Sequence, residues 1–162
     1  MGLKLFFGSS SDTCRFFGLT LVRDCLTESS YEVKKAVREA LINWVHESIQ
    51  TMVSEEKQEQ GKSKGYYLGR LPAYLLNNLV TVITLCVKAE YPVSWPNAFE
   101  QLLQVSSANI AGLDFVVRFL TDLDREIVSF GEGRNTEEIA QTAEIKDAMR
   151  DNEGSQGKYS NT

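Results

Sequence analysis

The apolar positions of this chain are densest in residues 71–96, LPAYLLNNLVTVITLCVKAEYPVSWP. Leu75, Leu76, Leu79, Val80, Val82, Ile83, Leu85, Cys86 and Val87 surround almost a whole helix, which predicts a helix over 73–89 packed on most of its sides. Pro72 suits a first turn, and Pro92 ends the element because its ring disfavours helical geometry at Tyr91. Pro96 then opens a shorter helix over 96–105, with Phe99, Leu102 and Leu103 toward the interior. Trp95 and Pro96 are expected to pack in the turn between the two helices rather than to form a binding site.

The flanking stretches are amphipathic. Residues 1–11 are expected to be an irregular start that gives way at Asp12, a candidate N-cap, to a helix over 13–26. Phe16, Leu19, Leu21, Val22 and Leu26 define its apolar face. Gly18 inside it costs about 1 kcal/mol against Ala, which asks for a close packing partner or a kink. After a turn at 27–30, Val33, Val37, Leu41, Trp44, Val45, Ser48 and Met52 advance by three or four and predict a helix over 31–55. Lys34, Lys35, Arg38, Glu39 and Glu47 lie mostly off that stripe, and the short loop makes the two helices antiparallel neighbours. Residues 56–69 read as a polar connector ending in Tyr66, Tyr67 and Leu68.

Downstream, a helix over 113–130 is expected to place Val116, Val117, Leu120, Leu123 and Ile127 inside, with Gly131 and Gly133 as its stop. Asn135 or Thr136 begins a last helix, running to 151 with a thin apolar edge of Ile139, Ala143 and Met149. Residues 152–162 carry nothing to bury and are expected to be disordered. Residues 12–151 thus read as three consecutive antiparallel helix pairs, an all-α layout of the α-solenoid kind, whose repeats run about 40 to 47 residues. A compact bundle is the other layout; one nearly all-apolar helix between amphipathic ones favours stacking.

Composition narrows this picture. At 162 residues, with 24% charged side chains and no unbroken apolar run of membrane-spanning length, the expectation is a soluble intracellular protein without membrane insertion. Cys14, Cys25 and Cys86 are expected as buried, reduced thiols; on one helix Cys14 and Cys25 stand about 16 Å apart, beyond disulfide reach. The net charge of −5 falls in residues 111–162, where six basic side chains face eleven acidic ones. Such a surface does not by itself argue for nucleic-acid binding.

The catalytic signatures are incomplete. His46-Glu47-Ser48-Ile49-Gln50 has Gln50 where a zinc peptidase has its second histidine, and His46 is the only histidine. Asp122, Asp124 and Glu126 alternate like a calcium loop, but Ile127 and Gly133 occupy the positions that need Gly and Glu, so they read as a solvated acidic face. The expectation is a non-enzyme with no cofactor and no metal.

Three motifs carry a family resemblance. They are Glu90-Tyr91-Pro92-x-x-Trp95-Pro96-x-x-Phe99 with the proline-led buried helix before it, Gly112-Leu113-Asp114-Phe115 leading to Leu123-Asp124-Arg125-Glu126-Ile127, and Ile145-Lys146-Asp147-Ala148-Met149-Arg150. In this order, over about 14–150, the chain resembles the N-terminal region of the exportin-T family, the transfer-RNA export receptors of the importin-β (karyopherin) superfamily. The resemblance implies a right-handed superhelical segment of HEAT repeats whose inner B helices, here 31–55 and 96–105, hold the GTP-bound form of the GTPase Ran. It makes Glu39, Asn43, Glu47, Gln50, Asn97, Glu100, Gln101 and Gln104 candidate Ran contacts. Carboxylates and amides at spacings of three and four suit a basic partner. It also implies enclosure of tRNA together with further C-terminal repeats, contact with nuclear pore components, and shuttling between nucleus and cytoplasm.

Departures from the family pattern are Leu76 and Asn78 where basic residues are implied, a foreign beginning before Asp12, and a polar turn from Asp151 onward. They lead to the expectation of a fragment. The alternative function is a helical-repeat scaffold that binds other proteins through its acidic third pair, without tRNA or Ran.

Overall fold

The computed structural model describes residues 1–56, 68–129 and 135–156, and seven α-helices lie among these described residues. They are α1 (Gly2–Gly8), α2 (Asp12–Leu26), α3 (Tyr31–Glu56), α4 (Ala73–Glu90), α5 (Ala98–Gln104), α6 (Ile110–Leu123) and α7 (Thr136–Gln156). Short 3-10 turns occupy Leu68–Arg70 and Val105–Ser107, and α6 continues into a π-helical turn over Asp124–Val128. No strand occurs among the described residues, and the architecture is an all-α solenoid of successive helix pairs.

The stack is built around α4, which packs against α2 on one flank and α6 on the other. Leu75, Leu79, Val82, Ile83, Cys86 and Val87 are removed from solvent almost completely, as a helix apolar on most sides requires. Two adjacent asparagines tie it to its neighbours. Asn78 Nδ2 donates to the Phe16 carbonyl at 3.3 Å and to Thr20 Oγ1 at 3.2 Å on α2, while Asn77 Oδ1 accepts from Arg118 Nη1 of α6 at 2.6 Å. One residue is a 100° step around a helix, so consecutive positions reach opposite partners.

Where an irregular start is expected, the chain forms α1. Gly2 and Gly18 meet at its crossing with α2: a Cβ on Gly2 would stand 2.5 Å from the Gly18 carbonyl oxygen, and one on Gly18 would stand 2.6 Å from that of Gly2. Gly18 therefore answers a packing partner rather than a kink. Phe6 is fully buried, edge-on to Trp44 of α3 with ring centroids 5.1 Å apart.

Capping sets two boundaries. Asn109 Oδ1 accepts from the Gly112 backbone N–H at 2.9 Å, so α6 starts at Ile110, ahead of the predicted 113. Asn135 and Glu138 form a reciprocal capping box at 2.9 and 3.1 Å, which opens α7 at Thr136.

Several side chains depart from expectation. On α6 the interior is taken by Phe115, Val116, Phe119 and Leu123, while Val117 and Leu120 are 53% and 44% exposed. Phe16, Val33 and Leu103 are likewise exposed. On α7, Ile139 and Ala143 face solvent and Thr142 and Ile145 are buried, because α7 docks through that flank with Lys146 Nζ donating to the Val128 carbonyl at 2.9 Å. Asp122, read as solvated, is buried and paired with Arg125. Cys14 and Cys25 are exposed; only Cys86 is a buried thiol. Helix α7 continues through Gln156, past the point where disorder is expected. Residues 57–67 of the connector predicted over 56–69, the helix stop at 131–133 and residues 157–162 of the tail expected over 152–162 lie outside the described residues.

Candidate partner-binding face

Helix α3 divides along its length. Val37, Leu41, Ile42, Val45 and Ile49 point into the core, and the opposite surface carries Glu39, Asn43, Glu47 and Gln50, all exposed. Steps of four, four and three keep that set within one face over about three turns. At the N-cap of α5 Asn97 is exposed, and on the helix Glu100 and Gln104 are exposed while Gln101 is half-buried. The eight predicted contact residues thus stand as two polar helix surfaces, seven of them freely accessible.

A buried node joins α3 to the turn ahead of α5. Arg38, nine-tenths buried, pairs through Nη1 with Glu90 Oε2 at the end of α4, and its Nη2 lies 3.6 Å from Glu39 Oε1. Its guanidinium carbon sits 5.1 Å from the centre of the Trp95 ring, within cation–π range. Trp95 is 4% exposed, and its Nε1–H donates to Gln101 Oε1 at 2.8 Å. Two of the candidate residues, Glu39 and Gln101, are therefore fastened to one buried cluster. Trp95 packs as expected, whereas Pro96, expected to pack beside it, is exposed. Arg38 was not legible as part of the cluster, because Glu90 and Trp95 are more than fifty positions away and a charged residue beside Val37 reads as the edge of a solvated face.

Burial pushes the Glu90 carboxyl above its ordinary value, against the opposing pull of Arg38 and Lys34. Its Oε1 is enclosed without a hydrogen bond, which explains why desolvation prevails. The same cause, with help from Glu90, drives the Cys86 thiol up to about 12. A thiol held protonated is the opposite of an activated nucleophile.

Leu76 and Asn78, standing where basic contacts are implied, are both buried against neighbouring helices and offer nothing to a partner. The arrangement presents exposed carboxylates and amides on two helices. No described helix is long and apolar enough to cross a membrane.

The family described as exportin 1-like protein matches residues 72–156, just over half the chain and the whole run from α4 through α7. The chain belongs to the exportin 1-like family. It is a member of a family of nuclear export receptors, and its curated relatives carry one name. Exportin-T of Dictyostelium discoideum is 36% identical over 76 residues, 47% of this chain and 7% of that protein. Exportin-T of Oryza sativa subsp. japonica is 35% identical over 79 residues, 49% of this chain and 8% of that protein. Exportin-T of Homo sapiens is 26% identical over 146 residues, 88% of this chain and 14% of that protein. The chain therefore spans about a seventh or less of the length of these exportins. No solved structure matches it.

Proposed function

We propose that this exportin-like chain is part of a nuclear export receptor for transfer RNA and that its α3 and α5 surfaces engage Ran in the GTP-bound form. The observation that carries the reading is the placement of Glu39, Asn43, Glu47, Gln50, Asn97, Glu100 and Gln104 on exposed helix faces whose supporting helices are joined by the Arg38 node. Exposed carboxylates beside amides suit a partner with basic side chains. The exportin-T names of the relatives support the tRNA cargo. Enclosing a tRNA falls to the receptor as a whole, together with repeats beyond this chain. The same reading carries passage through nuclear pores by contact with their components, and shuttling between nucleus and cytoplasm.

The test is capture of Ran by the chain, comparing GTP-loaded with GDP-loaded protein. Preferential capture of the GTP form, weakened by Glu39→Gln and Glu47→Gln together, is expected. Equal or absent capture of both forms would overturn Ran contact and leave the scaffold reading, in which the acidic α7 residues Glu137, Glu144 and Asp147 are the surface to examine.

A further inference from the structure

The Arg38 cluster does more than fill space between α3 and the α4–α5 turn. Arg38 is shared by two carboxylates of opposite setting, Glu90 inside and Glu39 outside, and lies over the Trp95 ring. Trp95 in turn donates its one side-chain polar hydrogen to Gln101. The chain of contacts runs from an exposed carboxylate on α3, through buried Arg38 and Trp95, to a half-buried amide on α5, with Glu90 holding Arg38 from the side. We propose that Arg38, Glu90 and Trp95 are positioning residues that hold Glu39 and Gln101 in fixed orientation as the joint between two partner-binding helix faces. This deepens the Ran reading and rests on it.

The chemistry favours a preset joint. Glu39 keeps its second oxygen free for a cation from a partner, and Arg38 retains Glu90 when Glu39 is engaged, so binding strands no buried charge. Gln101 accepts the indole proton through Oε1 and keeps its amide hydrogens to donate outward. Side chains held this way lose less rotamer freedom on association than free ones. Trp95→Phe isolates the effect, because a phenyl ring retains the burial and the face beneath Arg38 while losing the N–H that anchors Gln101.

The experiment measures the affinity of the chain for GTP-loaded Ran in wild type, Trp95→Phe, Gln101→Leu, Glu39→Gln and the paired variants, with helical content and melting followed for each. Trp95→Phe and Gln101→Leu are each expected to weaken binding about three- to tenfold, the scale of one hydrogen bond. Together they are expected to weaken it no further than Gln101→Leu alone, since one acts through the other. Glu39→Gln should multiply with Gln101→Leu as an independent contact. Wild-type affinity in Trp95→Phe, or multiplying effects of Trp95→Phe and Gln101→Leu, would overturn the positioning role while leaving Ran binding intact. No binding by wild type would overturn both. Should Trp95→Phe fail to fold, Arg38→Lys decides: it keeps the charge but loses the fork, and wild-type affinity there would also overturn the proposal.

Discussion

Helices α4 and α6 are similarly apolar and differently placed. Helix α4 is flanked by α2 and α6 and buries Leu75, Leu76, Leu79, Val80, Val82, Ile83, Cys86 and Val87. Helix α6 packs on α4 and buries Phe115, Val116, Phe119 and Leu123, but Ile110, Leu113, Val117 and Leu120 form an open stripe on its other side. The difference teaches that in a stack of helix pairs the composition of a helix says how many neighbours it suits, while position in the stack says how many it has.

The comparison can be broken most forcefully at the end of α4. Trp95→Ala removes the ring beneath Arg38 and the donor to Gln101, and should cost roughly 3 to 5 kcal/mol in chemical denaturation. A denaturation midpoint like that of wild type would contradict its role as a packing residue. Within α4, Leu79→Ala should cost about 2 to 5 kcal/mol because Leu79 is completely enclosed.

A gentler probe is the pH dependence of stability in wild type against Glu90→Gln. The folded state holds the Glu90 proton more tightly than the unfolded chain does, so this contribution is present below the unfolded value. It is lost as pH rises through the raised folded one. Wild-type stability should therefore decline relative to the variant as pH increases from about the ordinary Glu value of 4.5 upward. A difference that does not change with pH would show that Glu90 titrates normally. The smallest effect belongs to the open stripe: Val117→Ser on α6 should alter stability by no more than about 0.5 kcal/mol. A loss matching that of Leu79→Ala would mean that Val117 is covered in solution.

The same contrast explains what could be read from the residues. Helices α2, α3 and α4 lie where apolar spacing and the proline stops place them, because those signals are local. Helix α1 has no signature in the sequence, since seven residues are too few to display a period and its reason for folding, the Gly2–Gly18 crossing, is tertiary. The inward face of α6 was misassigned at Val117 and Leu120 because apolar residues surround that helix, and contact with α4 chooses among them. Seven of the eight candidate residues were legible as exposed polar positions, Gln101 being half-buried. The Arg38 cluster that supports two of them was not, because it is closed by residues from three separate segments.

Amide hydrogen exchange of the chain, alone and with GTP-loaded Ran, bears most directly on the claim that α4 is the enclosed centre and α3 and α5 form the recognition face. Slow exchange is expected throughout α4 in both states, with new protection on binding confined to α3 and α5. Faster exchange in α4 than in α6, or protection gained on α6 or α7 while α3 and α5 stay unchanged, would contradict it.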